Sequence, residues 1–310
     1  MIQTITHKLP HGIELHCRVT GEVGKPVLLF LHGFPEAAFV WDDLLTHFAQ
    51  PQNGGYRCVA PNMRGYAPSS APTDVSAYRA KHLMQDIAAL VALESPTQPL
   101  AALVAHDWGG AVAWNVANQI PQCMQRLVIL NAPHPGTFLR ELQHSATQQA
   151  ASAYMNFLIR ADAEALLQED DYRRLWEFFT NMMPQHAAEG DEAEGNWLTE
   201  KVKAHYRAVW QQGLTGPLNY YRASPMRPAT AHDTTINTLH LPEDMLHISV
   251  PTCVLWGMAD IALPAGLLEG LERYVPQLTV HRLEDATHWL VHEQPASVIE
   301  LIDRYLRTGK

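Results

Sequence analysis

Basic residues are scarce in this chain. Only 22 lysines and arginines stand against 32 aspartates and glutamates, a formal charge of −10, and they are scattered along the sequence without forming a stripe. Such a surface repels phosphates, so no nucleic-acid partner is expected. Cysteine is equally sparse. Cys17, Cys58, Cys123 and Cys253 lie far apart, form no Cys-x-x-Cys pair and belong to no Cys/His ligand pattern, so they read as reduced core thiols. No HExxH or comparable spacing marks a metal site, and neither a metal nor a cofactor is expected. The chain also lacks an apolar run near the ~18 residues that a membrane span needs. The opening MIQTITHKLPHG has no basic segment leading into an apolar stretch and a small-residue cleavage site. No membrane partner is expected, and the cytoplasm is the default location.

What the chain does have is apolar bulk: 47% of 310 residues, enough to bury the core of one domain with or without an insertion. Composition leaves the oligomeric state open, a homodimer included. Short apolar runs recur at Val27–Leu31, Cys58–Ala60, Leu100–Ala105, Leu127–Leu130 and Val250–Leu255, as strands buried on both faces require. Between several of them lie helical patterns. Ala80–Leu93 carries Leu83, Ile87, Leu90 and Val91 at three- and four-residue spacing, and Ala111–Ile120 is a second candidate. Alternating β and α segments predict a mostly parallel sheet flanked by helices.

The strand rhythm stops after Asn131 and resumes at Val250. The intervening text is helical and aromatic, with Trp176, Phe178, Phe179, Trp197 and Trp210. It reads as a lid inserted between two strands of one sheet, with packing between its helices as the ordinary role of each aromatic. The segment AAEGDEAEGN reads as an exposed acidic loop. Gly21–Pro26, which superficially matches a phosphate loop, precedes a strand and lacks the Ser/Thr, so it is a turn.

The strand at Leu100–Ala105 runs directly into His106-Asp107-Trp108-Gly109-Gly110 and then a helix. This resembles the nucleophile elbow of the α/β-hydrolases, with Ala105 and Gly109 at its small positions and Asp107 in the nucleophile slot. An aspartate there resembles the branch of soluble epoxide hydrolases and the related haloalkane and haloacetate dehalogenases. The resemblance implies an α/β-hydrolase fold with a core over residues 1–135, a helical cap over 136–245 and the rest of the core over 246–310. A carboxylate, with a reference pKa near ~3.9, is ionised at neutral pH and can attack saturated carbon without a base to activate it, leaving an alkyl-enzyme ester.

Upstream, His32-Gly33-Phe34-Pro35 follows a strand. The resemblance makes the N–H groups of Phe34 and Trp108 an oxyanion hole and puts His32, Pro35 and Trp108 at the substrate. Pro61-Asn62-Met63-Arg64-Gly65-Tyr66 resembles the family's RGYG-type loop, with Ala67 in place of the last glycine. Beyond the cap, VPTCVLWGMAD ends at Asp260, where the family carries its acid, and EDATHWLVHEQP supplies His288 in the family's histidine loop. The order nucleophile, acid, histidine matches the fold. His288 would activate water and Asp260 would orient its imidazole.

The electrophile is read from the cap. Tyr154-Met155-Asn156-Phe157 and Asn219-Tyr220-Tyr221-Arg222 resemble the two segments in which epoxide hydrolases carry acid tyrosines, which implies Tyr154 and Tyr221, with Tyr220 as a competitor for the second role. Phe34 stands where haloalkane dehalogenases place a halide-binding asparagine. The stations after Asp107 lack the arginines of haloacetate dehalogenases, so an anionic substrate would need Arg222 or another cap arginine. The expected partners are a small epoxide, or alternatively an organohalide, and water. A non-catalytic ligand binder of the same fold is disfavoured because it needs no complete triad.

Overall fold

The computed structural model describes residues 1–181 and 196–309. Eight strands form one sheet in the order β1-β2-β4-β3-β5-β6-β7-β8: β1 (Gln3–Lys8), β2 (Glu14–Thr20), β3 (Val27–Leu31), β4 (Arg57–Pro61), β5 (Ala102–His106), β6 (Leu127–Leu130), β7 (Thr252–Gly257) and β8 (Leu278–Leu283). From β4 through β8 the neighbours are parallel, and β2 pairs antiparallel with both β1 and β4. Every residue of β3, β4, β5, β6 and β7 is buried, because helices cover both faces of a parallel sheet. Alternation along β3 divides the core: Leu28 and Phe30 pack on one face with Trp41, Leu44 and Ile302. Val27, Leu29 and Leu31 pack on the other with Leu83, Ile87 and Val116.

The expected helix over Ala80–Leu93 is present as Ala80–Glu94, but the one expected from Ala111 begins already at Asp107. Cys17, Cys58 and Cys253 are buried free thiols, whereas Cys123 is only half-buried, a correction to its place among the core thiols. The expected acidic loop lies outside the described residues except for Asn196. Among the described residues no helix is long and apolar enough to cross a membrane.

Between β6 and β7 the described residues contain only helices and irregular segments. These form the cap, and it is locked to the core by aromatic side chains. Trp210 of the helix Glu200–Trp210 donates its indole N–H to the Pro35 carbonyl at 2.7 Å. Phe179 packs on Trp289 of the core with ring centroids 4.4 Å apart. Phe178 departs from plain cap packing: its ring meets Phe34 at 5.9 Å and Tyr154 at 5.6 Å.

Candidate active site

Asp107 lies where β5 turns into the helix Asp107–Gln119, at the C-terminal edge of the parallel strands where open α/β sheets bind ligands. Its φ of 50° is left-handed for a residue with a Cβ, a conformation costing ~1–3 kcal/mol and held only where its surroundings fix it. Two glycines supply the room: a Cβ on Gly109 would press into the Leu31 and His32 carbonyls, and one on Gly33 would collide with the Asp107 carboxyl. The Phe34 N–H donates to Asp107 Oδ1 at 2.7 Å. Burial works against the Asp107 charge, but His288, His106 and the Phe34 N–H together hold the carboxyl below its ordinary value.

His288 stands between two carboxylates. Its Nδ1 is 2.7 Å from Asp260 Oδ2 and its Nε2 is 3.7 Å from Asp107 Oδ2. Burial opposes its charge, yet Asp260 first and Asp107 second raise the imidazole to about 10. Asp260 is fixed in turn: Oδ1 accepts from the Ala262 and Leu263 N–H groups at 2.8 and 2.9 Å, and Oδ2 accepts from Asn131 Nδ2 at 2.6 Å. The reading of the sequence gave Asn131 no role. It follows β6 with φ 36°, and its Oδ1 accepts from the Gly257 N–H at 2.8 Å, so one side chain joins the ends of β6 and β7 to the acid.

The histidine loop has a further clamp in Glu293, whose carboxylate accepts from the Thr287 N–H and hydroxyl, both at 2.7 Å. Behind the loop lies a second buried cluster that the reading passed over. His106 Nε2 donates to the His288 carbonyl at 2.8 Å, and His106 Nδ1 faces Glu36 Oε2 at 3.2 Å. Glu36 Oε1 accepts from the Tyr206 hydroxyl at 2.8 Å and meets His292 Nε2 at 2.6 Å. Burial raises the Glu36 carboxyl, but His292 and His106 more than offset this and hold it well below the usual range. The sequence hint was the Glu36 that directly follows His-Gly-Phe-Pro.

His32 and Pro35 do not take the places expected of substrate contacts. His32 is wholly buried; its Nδ1 donates to the Gly33 carbonyl at 2.9 Å and its Nε2 accepts from the Met63 N–H at 3.0 Å. Burial, only partly offset by that carbonyl and nearby carboxylates, lowers it to about 4. A neutral imidazole thus ties two loops together. Pro35 holds the cap through Trp210.

A cavity of about 300 Å³ opens over Asp107, lined by Trp108, Phe138, Tyr154, Met155, Tyr221 and Met226 among others. Among the described residues that line it, Asp107 is the single carboxylate, and there is no lysine, arginine or histidine. Tyr221 packs edge-on to Phe34 and Trp108, with centroids 5.2 and 5.1 Å away, and lies 6.2 Å from the Tyr154 ring. Burial and the Asp107 charge push both phenols up, which keeps them protonated. The competitor Tyr220 is occupied, since its hydroxyl donates to the Arg64 carbonyl at 2.7 Å.

An elbow-borne carboxylate, an imidazole with its own acid and a helical cap inserted after β6 describe an α/β-hydrolase, and comparison with known proteins agrees. The family profile of the alpha/beta hydrolase fold matches residues 26–295. The chain belongs to that family and is a hydrolase. It is 32% identical to AB hydrolase superfamily protein YfhM of Bacillus subtilis over 96% of both chains. It is also 32% identical to Epoxide hydrolase 4 of Mus musculus, over 96% of this chain and 77% of that one. Among solved structures, an inhibitor complex of the Bacillus megaterium epoxide hydrolase superposes with a TM-score of 0.85 at 28% identity, covering 99% of this chain and 100% of that one. A metagenomic epoxide hydrolase from hot environments reaches 0.84 at 33% identity, with both chains fully covered.

Proposed function

We propose that this hydrolase opens epoxides to diols through an ester on Asp107. The observation that carries the reading is a lone carboxylate facing an otherwise uncharged cavity with two protonated phenols beside it, Tyr221 buried and Tyr154 half-buried. Oδ1 is held by the Phe34 N–H, so Oδ2 is the attacking oxygen. It forms a bond to a ring carbon, the carbon–oxygen bond of the ring breaks, and the departing alkoxide takes a proton from Tyr154 or Tyr221. His288 then removes a proton from water, whose oxygen adds to the ester carbonyl. The charge that develops on Oδ1 is met by the Phe34 N–H and, as the family resemblance implies, by that of Trp108. Collapse breaks the Cγ–Oδ2 bond, and the proton that the added water oxygen still carries passes to the departing Oδ2, which gives the diol and an Asp107 carboxylate holding the water oxygen in its place. The proton on His288 returns to the phenolate through solvent.

Esterification also prepares the base. Asp107 is one of the two charges that raise His288, and the ester removes it, so the imidazole gives up its proton more readily in the intermediate than in the free enzyme. The alternative organohalide chemistry has less support. Arg222, the cap arginine an anionic substrate would need, is paired with Glu164 at 2.6 and 2.7 Å, and position 34 carries a phenylalanine.

The decisive experiment uses His288→Gln with styrene oxide. Intact mass should show a stable adduct equal to the substrate mass, and peptide mapping should place it on Asp107. An adduct on another residue, or undiminished turnover, refutes the mechanism. Halide release from 1-chlorobutane or fluoroacetate without any epoxide opening refutes the substrate class.

A further inference from the structure

The helix Thr215–Ala223 carries Tyr221, and its first turn touches the loop after β4 backbone to backbone. A Cβ on Gly216 would strike the Gly65 carbonyl, and one on Gly65 would meet Gly216 C at 2.9 Å and Cα at 3.0 Å. Further along the same helix, Asn219 Nδ2 donates to the Thr73 carbonyl at 3.2 Å and the Tyr220 hydroxyl to that of Arg64 at 2.7 Å. The loop that receives these contacts is itself fixed from below. Arg64 donates to both oxygens of Asp86 at 2.7 and 2.6 Å and to the Ala77 carbonyl at 2.8 Å. His11 Nε2 lies 2.6 Å from the same carboxylate, and Arg64 and Asp86 are buried.

Consecutive side chains of a helix project about 100° apart. A Tyr220 ring tied to Arg64 therefore fixes the rotation of the helix and leaves Tyr221 pointing between Phe34 and Trp108. The close glycine contact fixes its height, because any side chain at Gly65 or Gly216 would lift the helix away from the loop.

We propose that the Gly65–Gly216 contact and the Tyr220 hydroxyl are a positioning seat for the Tyr221 phenol, governing the ring-opening step and leaving ester hydrolysis untouched. This rests on the acid role given to Tyr221 above. A phenol acts only on the departing alkoxide, whereas hydrolysis uses His288, Asp260 and the Phe34 N–H, which stand on the core. Displacing a catalytic group by about 1 Å costs roughly 10²-fold, so small shifts of the seat are legible in the first step.

The test is single-turnover kinetics with styrene oxide, separating Asp107 alkylation from ester hydrolysis, on Gly216→Ala, Tyr220→Phe, Tyr221→Phe and the double variant Tyr220→Phe/Tyr221→Phe. Gly216→Ala should slow alkylation by roughly 10- to 100-fold, and Tyr220→Phe should slow it in the same direction by less, with hydrolysis unchanged within about threefold. Adding Tyr220→Phe to Tyr221→Phe should change nothing further, because Tyr220 acts through Tyr221. A purely structural role would lower both steps together or add in full to Tyr221→Phe, and either result overturns the seat. Should Gly216→Ala fail to fold, Tyr220→Phe and the double variant decide. If Tyr221→Phe alkylates as fast as wild type, the acid role fails and the seat with it. If Tyr221→Phe is slow while the seat variants are not, only the seat fails.

Discussion

His288 Nε2 lies 3.7 Å from Asp107 Oδ2, too far for a hydrogen bond and close enough for the two charges to feel each other in a buried site. The pair is coupled by charge, and removing one member must shift the other. Asp107→Ala should bring the His288 imidazole below the value of about 10 that it has in the intact site. Titration of the imidazole by NMR measures this directly, and an unchanged value would show that Asp260 alone sets it.

The same coupling predicts a pH profile for stability. The folded His288 titrates at about 10, above its ordinary 6.5, so its contribution is complete below 6.5 and is lost as pH rises toward 10. Two thiols add their own decline above 9.0, since desolvation pushes half-buried Cys123 up to about 11 and buried Cys253 up to about 12. The informative quantity is therefore a difference. Melting temperatures across pH 6.5 to 10 should fall more steeply for wild type than for His288→Gln; parallel curves would contradict the assignment.

Asp260 and Asn131 should act on the second step alone. Asp260→Asn is expected to slow ester hydrolysis by up to about 10⁴-fold, by analogy with the orienting acid of serine triads. Asn131→Gly keeps the left-handed backbone accessible but removes the 2.6 Å bond to Asp260, and should slow the same step by roughly 10- to 150-fold, the equivalent of one lost hydrogen bond to a charged group. Activity within a few-fold of wild type in Asp260→Asn would require another acid. Asp285, the nearest candidate in sequence, is exposed.

The two phenols should act on the first step. General-acid assistance is worth ~10²–10⁴-fold, so Tyr154→Phe and Tyr221→Phe should each reduce the alkylation rate and the double variant should lose nearly all of it. Circular dichroism should stay unchanged, because only hydroxyls are removed. Undiminished alkylation of the double variant by an epoxide would end the epoxide reading.

The sequence was most legible where one local pattern decides the structure. β3 and β6 begin and end where their apolar runs do. Motif order led to Asp107, Asp260 and His288, which the fold brings together. β1 and β2 escaped notice because β2 is buried on one face only: Leu15, Cys17 and Val19 point inward while Glu14 is exposed and His16 and Arg18 are half-exposed. A search for continuous apolar runs misses such alternation. Asn131, Glu36 and His106 were illegible for another reason. Their partners lie far along the chain, Asp260 for Asn131, the His288 carbonyl for His106, and His106, Tyr206 and His292 for Glu36, and no local spacing predicts a polar contact closed by the whole fold.

The Glu36 carboxylate is shared between two bodies of the fold: His106 and His292 reach it from the core and Tyr206 from the cap. Its consequence falls on recombination. A cap grafted from a relative must bring a hydroxyl or another donor to the place of Tyr206, or the chimera buries an acceptor short of a partner. That omission costs ~1–3 kcal/mol, a large share of the ~5–15 kcal/mol by which a domain is stable. Caps of this enzyme are therefore exchangeable only as sets that include residue 206, however well the cavity-lining side chains are matched.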